Sequence, residues 1–595
     1  MVVKLDFPIL FISVLIPLLG SFLFPIIQKE VDNKTLSFLC FFLLSAPSIS
    51  ILFIFLRYGW VGMVTEPALF VHQDLGSFSM YLDRLSGLYF LGVGLVTPLV
   101  ALYSRNHMEY RIRTMKEEEE NVASLGTFYL AYAIFSATMM GFVLTTNFLL
   151  QYVFLNMTVM ASFLLILLYG HGNRQRTAHM YLIWSMVGGA IFLLGIIGLG
   201  YYSGTFDLVD LEAMELNLGI GEGLPLFIPF LLFFGMCIKK ALFGVHIWLP
   251  HAHAEAPSPV SALLSPNLIG ISGYAMIRVV LDIFPAQFEQ MSIFFLIFAF
   301  VTMIYGGLNA IAQDDLKKLL AYASVSQMGW VVFGIATMTP EGQVGGILLF
   351  VKHSISLSVL FMGAGILVEK YDGLRDISNM GELLSLHPVL SGLMIIGFLT
   401  LVGSPLTMGF WGKALIFSGA IKMPFITGPF TFILVALAIV LAGGITAAYV
   451  FITVKRMFFG MFKGEMEPKD IGWSTSTYPM AVISAIGVVL FFVPGFLFGP
   501  AELPTLPVLT IEGMMFLTAY LGAYTIFSGG IRYYLVLLSH RVENDLIDNF
   551  FHKKMLSFIK RSDEVLEHAH LVNFDTYLLW LVIGFLGVLS ALLFL

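Results

Sequence analysis

GMCIKKALFGVHIWLPHAHAEAPSPVSALLSPNLIGISGYAMIR, running from Gly235 to Arg278, decides how this chain is read. An apolar helix carries Lys239 and Lys240 in its middle, meets a His/Pro-rich break holding His251 and His253, and resumes as a second apolar helix. A lysine at mid-bilayer depth costs about 2.5–3.5 kcal/mol on insertion scales, so it is read first as functional. Backbone broken by Pro and Gly inside a membrane is tolerated only where protein buries it or where it lines a wet cavity. Everything else in the chain reads as the scaffold that makes such a site tolerable.

The surrounding composition agrees. The 595 residues are 58% hydrophobic and 12% charged, with a mean hydropathy of +0.90, whereas soluble domains are about half apolar and a quarter charged. The expected fold is an all-α polytopic membrane protein. Windows of about 20 apolar residues give about sixteen spans, the first lying near 7–27, 36–57, 79–103, 125–143, 145–168, 179–203, 224–247 and 258–284. The others lie near 291–312, 318–338, 343–368, 389–421, 428–453, 475–499, 509–531 and 576–595. No small-residue cleavage site follows the first run, so it reads as a span and not as a removed signal peptide. Most of the 31 Lys and Arg fall in alternate loops, while the acidic loop Thr205–Glu222 has none. The positive-inside rule then puts both termini on the outer side of what reads as a prokaryotic cell membrane.

Two segments stand apart. The charged run Arg105–Glu120 reads as a solvated loop. Val536–Leu571 alternates apolar and charged faces at helical spacing, which predicts an amphipathic lateral helix on the inner surface. At 1.5 Å per residue such a helix would reach on the order of 50 Å and could strap neighbouring subunits; two shorter interfacial helices remain the alternative.

Four lysines fall within spans: Lys239, Lys240, Lys352 and Lys413. A buried lysine can alternate between neutral and charged forms, and histidines such as His246 and His353 suit a relay between lysines. Lys240 and Lys352, nearer the ends of their spans, could instead snorkel. His251 and His253 have only Glu255 nearby, too few ligands for a metal site. No phosphate loop, dinucleotide fingerprint or nucleophile elbow sits in a suitable context. Cys40 and Cys237 lie in apolar runs and support neither a disulfide framework nor a cluster. No cofactor is expected in this chain, and no nucleic acid among its partners.

A broken, Lys-bearing span closes the block 123–284, and SPLTMGFWGKALIF supplies a comparable one in the block 285–455. Broken spans at matching places in two repeats point to an ion path. The expected organisation is N-terminal spans over 1–122, the two repeats, further spans over 456–535, the lateral helix over 536–575 and a last span over 576–595.

The motifs KKALFGVHIWLPHAHAEAP, QDDLKKLLAYASVSQMGW, GAGILVEKYDGLRDISNMGEL and SPLTMGFWGKA, with DRLSGLYFL and FSATMMGFVLTTNFLLQYVF, carry a resemblance. The chain resembles the antiporter-like subunits of respiratory complex I, Mrp-type cation/proton antiporters and energy-converting membrane hydrogenases. The resemblance implies two inverted five-helix repeats, each with a broken helix, inside a complex of other hydrophobic subunits with a peripheral redox module. It also implies that Lys239, His246, His353 and Lys413 occupy the family's charged positions, joined by Lys352, with Lys240, His251 and His253 accessory. The family's usual glutamate falls on Asn156, its eighth-span base on Gly270, a further lysine on Leu357 and a histidine on Gln327. The interiors of the spans contain no carboxylate to substitute. Two functions follow: a subunit carrying protons or sodium ions, or a degenerate copy with a structural or coupling role. A stand-alone transporter for a small solute is a third reading.

Overall fold

The computed structural model describes residues 2–493 apart from 60–61, 73–74, 120, 219–225, 424–427 and 461–470. The expected lateral helix and the expected spans near 509–531 and 576–595 lie outside the described residues. Every expected span before them carries a helix or a pair of half-helices. Among the described residues eleven helices are long and apolar enough to cross a membrane. The chain is an integral membrane protein.

Burial sorts these helices into layers. Leu125–Leu144, Ser258–Ile277 and Leu316–Ala336 are 100% buried over their apolar windows, against 22% for Asn33–Tyr58 and 39% for Phe430–Phe458. The first group forms the centre and the second turns apolar side chains outward, as lipid-facing helices do. Small residues bring the central helices close. A Cβ on Gly306 would stand 2.5 Å from Ser326 N, and one on Gly329 2.7 Å from Met303 N, so Pro285–Ala312 and Leu316–Ala336 pack backbone to backbone.

Short strands interrupt the otherwise helical fold at one face. Val2–Lys4 pairs in parallel with Met63–Thr65, which pairs antiparallel with Tyr81–Asp83. Phe70–His72 and Gly76–Phe78 form a hairpin beside them. Three-residue strands lie below the length at which alternation can be read.

The charged run Arg105–Glu120 is not a loop. The helix Arg84–Glu118 continues through it, and Arg111 is buried. Its guanidinium donates to the carbonyls of Tyr169 and Gly170 at the C-terminal end of helix Phe148–Tyr169. A guanidinium that satisfies orphan C-terminal carbonyls is held inside by those bonds.

Candidate ion pathway

Both broken spans end their first half in the same way. Helix Phe227–Lys239 stops with Ala241 at φ +53°, Ala241 N donating to Ile238 O (3.1 Å) and Leu242 N to Cys237 O (3.2 Å). Helix Pro388–Val402 stops with Gly403 at φ +80°, Gly403 N donating to Thr400 O (3.2 Å) and Ser404 N to Leu399 O (3.0 Å). Each is a Schellman termination, a left-handed residue followed by a bond reaching five residues back. Further on, Phe243 N finds Thr302 Oγ1 at 3.1 Å and Met408 N finds Gly487 O at 3.2 Å. These donors of the broken stretches are satisfied by protein, the condition for irregular backbone at this depth. The first break covers 240–247, and His251 and His253, expected within it, sit on the helix Trp248–Glu255 that follows.

The lysine heads lie in the interior. Lys239, Lys240, Lys352 and Lys413 are all buried. Lys352, expected near a span end, is deep within the helix Pro340–Lys370, and neither it nor Lys240 snorkels. Its Nζ donates to Gln327 Oε1 and, at 2.9 Å, to Leu401 O, and Gln327 Nε2 in turn donates to Tyr449 Oη at 2.9 Å. Gln327, at a position where the resemblance implies a histidine, is therefore a fixed ligand of Lys352. Lys413, in helix Gly409–Ile421, has no hydrogen bond among the described residues and lies 5.1 Å from the centre of the Trp330 ring. A cation over an indole face is attracted by its quadrupole.

Lys239 Nζ also lacks a hydrogen-bond partner. Asn156 faces it: a Cβ placed on Gly189 would touch Asn156 Oδ1 at 3.6 Å and Lys239 Cε at 4.0 Å. Asn156 Nδ2 donates to Tyr152 O at 2.9 Å, leaving Oδ1 unpaired. The amide thus turns its acceptor into the same space as the lysine but brings no charge. At Gly270 the space of a side chain is already filled, since a Cβ there would lie 1.9 Å from the Phe350 ring. Phe350 stacks on Tyr89 with ring centres 4.2 Å apart. Leu357 is buried and apolar.

His353 is buried, with the backbone of Ser265 beside its ring. Lys352, Lys240 and His253 are its electrostatic neighbours, and Lys413 is one of Lys352. His253, stacked on Phe361 at 5.0 Å, has both nitrogens unpaired. His246 sits among Phe243, Tyr305 and Tyr322. His251 is partly exposed. Among the described residues no group of three His, Cys, Asp or Glu could hold a metal.

At the strand-bearing face Arg278 donates to Asp83 (2.6 Å) and Asp282 (2.9 Å), and its guanidinium lies over Tyr81 and Tyr274. Glu212 is close to this group. Burial, with the Asp282 carboxylate beside it, pushes its carboxyl up to about 7. Asp282 lies at the very end of the expected span 258–284, so the carboxylates gather at this end and leave the middle without one. Phe350, Trp330 and the tyrosines were not legible as site residues. The available signal was a tyrosine deep in an apolar run, which usually needs a partner for its hydroxyl.

Residues 145–441 match the family described as NADH:quinone oxidoreductase/Mrp antiporter, TM. The F(420)H(2) dehydrogenase subunit M of Methanosarcina mazei is 30% identical over 459 residues, covering 73% of this chain and 88% of that one. The chain belongs to this family. Another antiporter-like relative, NADH-quinone oxidoreductase subunit M of Rickettsia felis, is 28% identical over 498 residues, 82% of this chain and 95% of that one. Among solved structures, a chain of respiratory complex I from Thermus thermophilus superposes with a TM-score of 0.67 at 26% identity, covering 85% of this chain and 99% of that one. A chain of the Mrp complex from Dietzia sp. gives a TM-score of 0.69 at 17% identity, covering 89% and 99%, and shares the fold.

Proposed function

We propose that this antiporter-like subunit carries a proton or sodium pathway through Lys239, His246, His353, Lys352 and Lys413. Its setting is a multi-subunit respiratory-type complex of hydrophobic subunits, coupled to a redox or antiport module. The observation that carries this reading is the set of buried titratable heads in which Lys240, His353, Lys352 and Lys413 are electrostatic neighbours in turn, while Lys239 and Lys413 have no hydrogen bond among the described residues. Buried polar groups are normally paired, and a buried lysine without a partner is destabilising unless its proton is used. The blocks 123–284 and 285–455 act as the two repeats, with the strand-bearing face outward and the N-terminus on that side, in a prokaryotic cell membrane.

A second reading has its own support. Asn156 brings no charge to Lys239, and Phe350 fills the space at Gly270, as in a copy that couples or braces without moving ions. Flux separates the two. With the purified complex in vesicles, Lys239→Ala and Lys413→Ala should each lower ion flux by about tenfold or more, equivalent to at least ~1.4 kcal/mol of added barrier. Unchanged flux through an intact complex would leave the bracing role.

A further inference from the structure

The pathway above runs along the middle of the membrane and gives the first break no connection to either face. The surroundings of Lys240 supply one. Lys240 Nζ approaches Ile269 O at 3.5 Å, beside the π-helical turn Leu264–Leu268. A Cβ built on Gly273 would meet Lys240 Nζ at 2.6 Å and Tyr89 Oη at 2.9 Å, so ammonium and phenol share one small space that glycine leaves open. Tyr89 Oη is buried and has no partner. The Tyr89 and Tyr274 rings meet edge to face with centres 5.4 Å apart, and Tyr274 Oη is hydrogen-bonded to Tyr81 Oη at 2.8 Å. Arg278 covers the Tyr81 and Tyr274 rings and holds Asp83 and Asp282 at the strand-bearing face.

We propose that Lys240 exchanges protons with the strand-bearing face through the hydroxyls of Tyr89, Tyr274 and Tyr81, ending at the Asp83–Arg278–Asp282 group. This deepens the pathway reading and rests on it. A phenol both donates and accepts, so each hydroxyl takes a proton on its oxygen as it releases its own to the next. The tyrosines end unchanged, and the neutral Lys240 amine becomes an ammonium. Only O–H and N–H bonds form and break; the proton comes from the aqueous side of the carboxylates, and Arg278 keeps its own throughout. Of these links Tyr274–Tyr81 is hydrogen-bonded at rest, and the unpaired Tyr89 hydroxyl completes the others as a proton passes. Lys240 is also an electrostatic neighbour of His353, so the proton it gains bears on the middle of the pathway. With Phe350 occupying the space at Gly270, Lys240 is the base presented to this part of the eighth span.

The test uses the purified complex in vesicles with an entrapped pH-sensitive dye and an imposed membrane potential. Tyr89→Phe keeps the ring that stacks on Phe350 and removes only the hydroxyl, and Lys240→Met removes the amine at similar volume. Each should slow proton flux by about tenfold, ~1.4 kcal/mol of barrier, with the complex intact. If both variants retain wild-type flux while Lys239→Ala and Lys413→Ala lose it, the tyrosine route is overturned and the central pathway stands. If all four retain it, both are overturned. Should Lys240→Met fail to assemble, Tyr89→Phe decides by itself: slowed flux supports the route and wild-type flux overturns it.

Discussion

The two broken spans share a backbone solution and differ in where they keep their charge. Ala241 and Gly403 close the same Schellman motif, which places Lys239 and Leu401, two residues earlier, in corresponding positions. In the first repeat the lysine belongs to the chain that breaks, at the C-terminal end of its own half-helix. In the second the corresponding residue is apolar, and the cation at its carbonyl is Lys352, arriving from a neighbouring helix and donating to Leu401 O at 2.9 Å. A helix C-terminus favours a cation whichever chain supplies it. One arrangement is bound at two acceptors and the other is unbound, which teaches that the repeats have divided the work. The second break holds the visiting Lys352 at two acceptors beside an unbound Lys413, and the first leaves its own Lys239 free to change partner.

That division is broken or sharpened most forcefully by removing each ammonium in turn. Lys352→Met leaves Gln327 Oε1 and Leu401 O without their donor. At about 1–3 kcal/mol for each buried acceptor left unpaired, the complex should lose roughly 2–6 kcal/mol, seen as a lower midpoint of thermal unfolding. Lys239→Met removes a buried head that has no hydrogen bond to lose, so its midpoint should stay level or rise even as flux falls. A protein gains stability in this way where a strained group serves function. Equal losses in the two variants would contradict the contrast between a bound and an unbound lysine.

A smaller effect tests the backbone equivalence. Ala241 holds φ +53° without being glycine, a conformation costing about 1–2 kcal/mol for a residue with a Cβ. Ala241→Gly should therefore stabilise by about 1 kcal/mol. Gly403→Ala should destabilise by more than that strain alone, because its Cβ would stand 2.9 Å from Gly409 O and 3.1 Å from Lys413 Cδ. Opposite signs from the two substitutions, measured by thermal unfolding, are the expected result; the same sign would mean that the two terminations are not alike.

Much of this comparison could be read in the residues themselves. Apolar windows find the helices because length and hydropathy are local properties, and the Pro/Gly clusters near Pro250 and Pro405 announce both breaks. Asn156 and Gly270 stand out only beside the family pattern. What stayed hidden depends on direction in space. Nothing local says that Lys240 turns toward Gly273 while Lys239 turns toward Asn156, or that Phe350, 80 residues away in sequence, fills the space at Gly270. Helices such as Leu125–Leu144 are buried on every side, so periodicity gives no facing to read. Arg105–Glu120 misled for the opposite reason: its charges suggested solvent, and the carbonyls that bury Arg111 belong to another helix.

The repeats differ again at the strand-bearing face, and there the smallest effect is expected. Beside the second repeat, Lys422 and Glu341 form a one-to-one pair at 2.5 Å. Beside the first, Arg278 faces Asp83, Asp282 and Glu212. The surplus carboxyl is Glu212, raised from 4.5 to about 7 by burial and by Asp282. A carboxyl raised in the folded chain keeps its proton while the unfolded chain has already lost it. Stability therefore falls as pH rises from about 4.5 to about 7 and levels off above that, the folded state binding more protons throughout the window. Because Glu212 is only partly buried, water screens the effect and the slope is modest. Glu212→Gln should flatten that part of the profile of unfolding temperature against pH. Glu341→Gln, whose carboxyl is paired with Lys422, should leave that window untouched, so equal slopes in wild type and Glu212→Gln would place the surplus charge elsewhere.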